Sequence, residues 1–124
     1  MDIINSDQAP KAIGPYSQAI RAGNVIYTSG QIALDPATGA LVEGDFAAQA
    51  HRVFENLKAV LAAGGANFSN VAKATVYLTD LANFATLNEI YASYFGATKP
   101  ARTTVGVAQL PKGGLVEIDL IAIV

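Results

Sequence analysis

Two ionisable residues stand inside apolar, strand-like runs, and they carry most of the chemistry this sequence offers. Arg102 heads the stretch "PARTTVGVAQLP", and Glu117 sits within "LVEIDLIAI". A charge entering an apolar strand needs a partner, either within the protein or from outside it. A guanidinium presents planar, paired donors that fit a carboxylate bidentately. Thr103 and Thr104 add hydroxyls and backbone N–H groups beside it. Strand alternation puts Thr104 and Gly106 on the Arg102 side, and such small residues leave room for a ligand. A glutamate in an apolar pocket has a raised pKa, which suits proton transfer near neutral pH. A neighbouring Arg102 would pull the other way, so the net direction is open. Two readings fit this pair. One is a buried Arg102–Glu117 salt bridge that fixes register and adds little net stability. The other is a site for a small carboxylate. A phosphate would call for more positive charge or a glycine-rich helix start, and neither is evident.

The remaining candidates are few. Tyr16, in "AIGPYSQ", follows a stiff Gly-Pro pair and reads either as a pocket lid or as a packed tyrosine at a strand start. Asn88 falls inside a helical segment, where asparagine is a mediocre helix former, and an exposed position is the simpler reading. His51, the one histidine, falls off the apolar stripe of its helix, so a Ser–His–Asp triad has no support. Without cysteine there is no thiol chemistry, and a metal site of the usual His/Cys ligands is not expected. No Walker loop or dinucleotide fingerprint is present, and Gly64-Gly65 and Gly113-Gly114 read as a helix stop and a turn. No cofactor is implied.

These residues must be positioned by a chain of 124 residues, long enough for one domain spanning 1–124. Hydrophobic residues make up 52% and charged residues only 15%, against about a quarter charged in a typical domain. So little charge implies surface hidden by a partner subunit. The net charge of −2, the pI near 5.1 and the absence of any basic run argue against nucleic acid as the main partner. No apolar run reaches membrane-spanning length, and "MDIINSDQ" lacks the features of a secretory signal, so a cytoplasmic protein is expected.

Pattern supplies the elements. "SQAIRAGNVIYTSGQ" reads as a hairpin turning at Gly23-Asn24, and "DPATG" as a second turn. Asp45 is placed to cap a helix whose apolar stripe runs Phe46, Ala50, Val53, Phe54, Leu57, Val60 and Leu61. "VAKATVYLTDL" alternates as a strand. Asn83 then caps a second helix that Gly96 ends. The Arg102 strand follows, and "PKGG" turns the chain into a last strand over Leu115–Val124. The short turn predicts that these last two strands pair antiparallel, with Arg102 and Glu117 not directly opposite. The order β-β-(β)-α-β-α-β-β describes an α+β fold with five to six strands and two helices on one face. At about 4.8 Å per strand the sheet is about 25–30 Å wide, and its second face, carrying Ile121 and Ile123, needs a cover. A partner's sheet is the natural cover, so a homo-oligomer is expected.

Taken together, "IGPYSQAI", "YTSGQIALDPATG", "DLANFATLNEIYASYF", "PARTTVGVAQLP" and "VEIDLIAI" resemble the YjgF/RidA family of enamine/imine deaminases nearly end to end. The resemblance implies a chorismate-mutase-like α+β fold and a homotrimer whose sheets form a central barrel, with active sites at the subunit interfaces. It implies cofactor-free hydrolysis of 2-aminoacrylate, 2-iminobutanoate and 2-iminopropanoate to 2-oxo acids and ammonia. By position, Arg102 matches the family's carboxylate-binding arginine and Glu117 the glutamate that activates water. Tyr16 matches the pocket tyrosine and Gly30 the glycine whose carbonyl faces the substrate nitrogen. Asn88 matches a position near the pocket, and Thr104 stands where several members carry cysteine. Two rival readings remain: an endoribonuclease or translation inhibitor, which the acidic pI disfavours, and a non-catalytic trimer that binds small carboxylates.

Overall fold

The computed structural model describes residues 1–124. In chain order the elements are β1 (Asp2–Ile4), β2 (Ala19–Ala22), β3 (Val25–Thr28), α1 (Phe46–Ala63), β4 (Val71–Leu78), α2 (Phe84–Phe95), β5 (Ala101–Gly106) and β6 (Val116–Ile123). The strands form one sheet in the order β1-β2-β3-β6-β4-β5. Both helices cover one face, as the patterns require. Val116, Ile118, Leu120 and Ala122 of β6 and Ala74, Val76 and Leu78 of β4 are fully or almost fully buried on that face. The intervening residues point to the other side. No helix is long and apolar enough to cross a membrane.

Local chemistry sets the helix ends. Asp45 Oδ1 accepts from Ala48 N at 3.0 Å and starts α1. Gly64 closes it, and a Cβ there would lie 2.8 Å from the tips of Ile4 and Ile26, so glycine lets this end of the helix settle on β1 and β3 without displacing those side chains. Asn83 stands at the N-cap of α2 but its side chain makes no capping bond. Asp80 caps the preceding turn instead, accepting from Ala82 N at 2.9 Å. Gly96 ends α2 with φ of 59°.

Two expectations change. β1, which pairs antiparallel with β2, was no part of the pattern read from "MDIINSDQ" and brings the count to six strands. More consequentially, β5 and β6 do not pair. β4 lies between them, parallel to β5 and antiparallel to β6. The crossover through α2 returns β5 parallel to β4, and the β5–β6 connection must then step over β4 to reach its free edge. β5 is left as an edge strand.

Three buried amides tie the irregular segments to this frame. Gln18 accepts from Ser6 N at 2.6 Å and donates to Pro10 O at 2.8 Å. Asn56 donates to Leu34 O at 2.9 Å, and Gln49 Oε1 accepts from Leu115 N at 2.9 Å. Backbone groups in such segments lack ladder partners, and these side chains supply them. The segments so held border the Glu117 site.

The face away from the helices stays open in the single chain. Ile3, Tyr27, Val105 and Ile123 are large apolar residues exposed there, beside Tyr77, Glu117 and Asp119. This is the face whose burial was expected to need a partner.

Candidate functional site

Register decides where the candidates lie. Arg102 pairs with Ala74 and Thr104 with Val76, both buried against the helices, so Arg102 and Thr104 face α2. Glu117 pairs with Tyr77 on the open face. Arg102 and Glu117 therefore occupy opposite faces of one sheet, separated by two strand spacings, about 10 Å, in the lateral direction alone. No salt bridge between them is possible within one chain. Thr103 pairs with Thr75 and is exposed on the open face, away from Arg102. The candidates fall into two separate walls.

The first wall belongs to β5 and α2. The Arg102 guanidinium lies 4.8 Å from the Tyr91 ring centre and 5.5 Å from that of Phe84. Aromatic faces hold a cation without neutralising it, which leaves its five N–H donors for a ligand. Phe84, Asn88 and Tyr91 are spaced four and three residues apart and so share one stripe of α2, with Asn88 between the two rings. Asn88 Oδ1, Tyr91 Oη and Thr104 Oγ1 are buried without hydrogen-bond partners. Burial pushes the Tyr91 phenol above its ordinary pKa, and Arg102 only partly offsets this. Phe84 and Tyr91 were not among the candidates read from the sequence. Their spacing around Asn88, off the Leu87–Ile90 core stripe, was the signal for a second role.

The second wall is a depression of about 290 Å³ bordered by Tyr16, Gly30, Gln31, Lys11, Lys112 and Glu117. Mutual backbone bonds between Gln31 and Ile118, at 2.9 and 3.1 Å, clamp the Gly30 loop against β6. A Cβ on Gly30 would stand 2.5 Å from Glu117 Oε2, so the carboxylate packs directly on the glycine backbone. Tyr16 follows Gly14, whose φ of 119° only glycine adopts readily, and its hydroxyl accepts from Ile13 N at 3.3 Å. Burial, then the negative charge of Asp119 two residues along, raises the Glu117 pKa. Arg102 has no part in that shift, as its position on the other face requires. Asp119 is itself raised by burial, against a hydrogen bond from Tyr77 and the charge of Lys73, which lower it. His51 is exposed and meets the Tyr94 hydroxyl at 3.1 Å. No three His, Cys, Asp or Glu side chains converge to share a metal ion.

One wall thus offers an available guanidinium with hydroxyl and amide neighbours, and the other a carboxylate poised to hold a proton or a water. The sequence profile described as Endoribonuclease L-PSP matches residues 6–124. The protein DfrA of Myxococcus xanthus is 61% identical over 122 residues, covering 97% of this chain and 93% of its own. A Bos taurus protein named 2-iminobutanoate/2-iminopropanoate deaminase is 50% identical over 121 residues, covering 98% and 88%. The crystal structure of E. coli TdcF with bound serine superposes with a TM-score of 0.95 at 43% identity, covering 100% of this chain and 99% of that one. Motifs, topology and these likenesses agree that the chain belongs to the Endoribonuclease L-PSP family, the YjgF/RidA proteins.

Proposed function

We propose that this protein hydrolyses small 2-imino and 2-enamino acids, such as 2-aminoacrylate, 2-iminobutanoate and 2-iminopropanoate, to 2-oxo acids and ammonia. The reaction takes place between copies of the chain in a homotrimer, with the Arg102 wall of one copy facing the Glu117 wall of the next. The observation that carries this reading is the division itself. The carboxylate anchor and the acid/base lie on opposite faces of a single sheet. Arg102 stands on an edge strand, and Glu117 on a face rich in exposed apolar residues. A neighbouring copy that covers the open face brings the two walls together. The name of the Bos taurus relative and the serine bound by TdcF support a small amino-acid-like ligand.

Arg102 grips the substrate carboxylate through paired charged hydrogen bonds and fixes the imine carbon in place. The Gly30 carbonyl accepts from the imine N–H. Glu117 holds a water and takes its proton as the oxygen attacks the carbon. The proton passes to nitrogen and gives the carbinolamine; Glu117 then carries the proton of the new hydroxyl to that same nitrogen, the C–N bond breaks as the C=O forms, and ammonia leaves with its electron pair. The oxo acid remains. Imines hydrolyse unaided in water, so positioning and one proton relay are sufficient catalysis.

The direct test generates 2-aminoacrylate with a serine or threonine dehydratase and follows oxo-acid release with and without this protein. An unchanged rate refutes the deaminase reading; RNA cleavage, or 2-oxobutanoate binding without turnover, would then favour the rival readings. Mixing Arg102→Ala and Glu117→Gln chains, refolded together, tests the shared site. A quarter of the seams, about 25%, regain both residues if each site draws one from either copy. A site contained within one chain would recover nothing.

A further inference from the structure

The chain holds three buried side-chain polar atoms without a hydrogen-bond partner, Asn88 Oδ1, Tyr91 Oη and Thr104 Oγ1, and all three belong to the Arg102 wall. Interiors leave few polar atoms unpaired, so three on one wall call for a common partner. Their chemistry restricts what that partner is. Asn88 Oδ1 can only accept, while the two hydroxyls donate or accept. The phenol keeps its proton at neutral pH, since burial raises its pKa. A second carboxylate cannot satisfy Asn88 Oδ1, because it donates nothing. An alkyl group satisfies none of the three. A hydroxyl or a primary amide both donates and accepts.

We propose that these three atoms form the side-chain subsite, selecting 2-imino acids whose side chain ends in a hydroxyl or amide over those with alkyl side chains; this rests on the deaminase reading and on Arg102 as the carboxylate anchor. Thr104 is the next residue on the Arg102 face of β5, about 7 Å along the strand. A carboxylate, one or two side-chain carbons and a hydrogen bond at each end span that distance. The imine nitrogen faces the other wall, so the side chain is the part of the substrate left to meet α2. Access depends on Arg102. Its guanidinium lies over the Tyr91 ring. A depression of about 200 Å³ bordered by Tyr91, Lys99, Pro100 and Arg102 reaches the same ring from outside. In the proposed subsite the guanidinium lifts from the ring onto the carboxylate, so the side chain is read only after the acid is held.

The test compares hydroxypyruvate with 2-oxobutanoate, near-isosteric acids that differ by a hydroxyl in place of a methyl, by titration calorimetry on the assembled protein. Hydroxypyruvate is expected to bind tighter by about tenfold or more. Thr104→Val and Tyr91→Phe keep shape and remove one hydroxyl each, and each should bring the two affinities closer together. A wild-type ratio within twofold, binding of neither acid, or variants that weaken both acids equally would overturn the subsite. The kinetic arm uses imines made by an amino-acid oxidase from serine and from 2-aminobutanoate. Accelerated hydrolysis of both at equal kcat/KM removes the subsite and leaves the deaminase. An affinity ratio that falls in the variants, with no imine accelerated, keeps the subsite and removes the deaminase.

Discussion

Gly30→Ala separates the position of Glu117 from the stability of the fold. An added Cβ would stand 2.5 Å from Glu117 Oε2 and 2.9 Å from Cδ, whereas ordinary contact begins near 3.4 Å. The carboxylate must retreat by about 0.9 Å to reach that distance. The obstacle is the end of a flexible side chain, and Gly30 does not lie in the left-handed region, so the backbone is not strained. The fold should therefore lose less than about 1 kcal/mol, seen as a change in Tm of a few degrees. Catalysis should respond far more, because a misplacement of about 1 Å costs about a hundredfold in rate. Steady-state hydrolysis of 2-iminobutanoate by wild-type and Gly30→Ala protein reads the first quantity, and calorimetric melting reads the second. Binding of 2-oxobutanoate, anchored by Arg102, should change little. Turnover within threefold of wild type would refute the placement of Glu117 as the water-holding group. A loss of stability well above 1 kcal/mol would refute the premise that the carboxylate yields.

Arg102→Lys should weaken 2-oxobutanoate binding by about 10- to 100-fold in calorimetry, because an ammonium keeps the charge but loses the planar fork and the stack on Tyr91. Glu117→Gln should stabilise the fold at pH 7 while abolishing turnover. The raised Glu117 pKa means the folded state holds its proton more tightly than the unfolded chain. That contribution favours folding below the ordinary carboxylate pKa and is lost as pH rises through the raised value, so the gain should vanish in melts near pH 4. Asp119→Asn removes the negative charge that helps raise Glu117, and the acidic limb of the pH–rate profile should move to lower pH. Asp45→Ala removes the α1 cap and should cost about 1 kcal/mol in denaturant melts.

Much of the fold was legible because its signals are local. The Asp45 cap, the α1 stripe, the Gly23-Asn24 hairpin and the alternation of β6 each depend on residues within a few positions of one another. Gln18, Asn56 and Gln49 were not legible. Their partners lie 8 to 66 residues away, and a buried amide gives no periodic signal. β1 escaped for a related reason: three residues show no period, and only pairing with β2 makes them a strand.

The candidate site was legible in its residue types and not in its geometry. Arg102 and Glu117 stood out as charges in apolar strands, and face alternation correctly joined Thr104 and Gly106 to Arg102. What alternation cannot supply is the relation between faces of different strands. A short turn between β5 and β6 suggested direct pairing, and a register slip of one residue then decides whether two side chains share a face. The inserted β4 removes that freedom. Its own alternation, Ala74, Val76 and Leu78 inward and Thr75 and Tyr77 outward, is shared by both neighbours and fixes Arg102 with the first set and Glu117 with the second. The hydrophobic pattern of β4, which touches no ligand in the proposed mechanism, is thus what keeps anchor and base apart in one chain. A change of that parity would put both on one face of the sheet. Kept apart, the guanidinium rests on aromatic rings and the carboxylate keeps its raised pKa, and in the proposed mechanism a second copy brings the two to the same substrate.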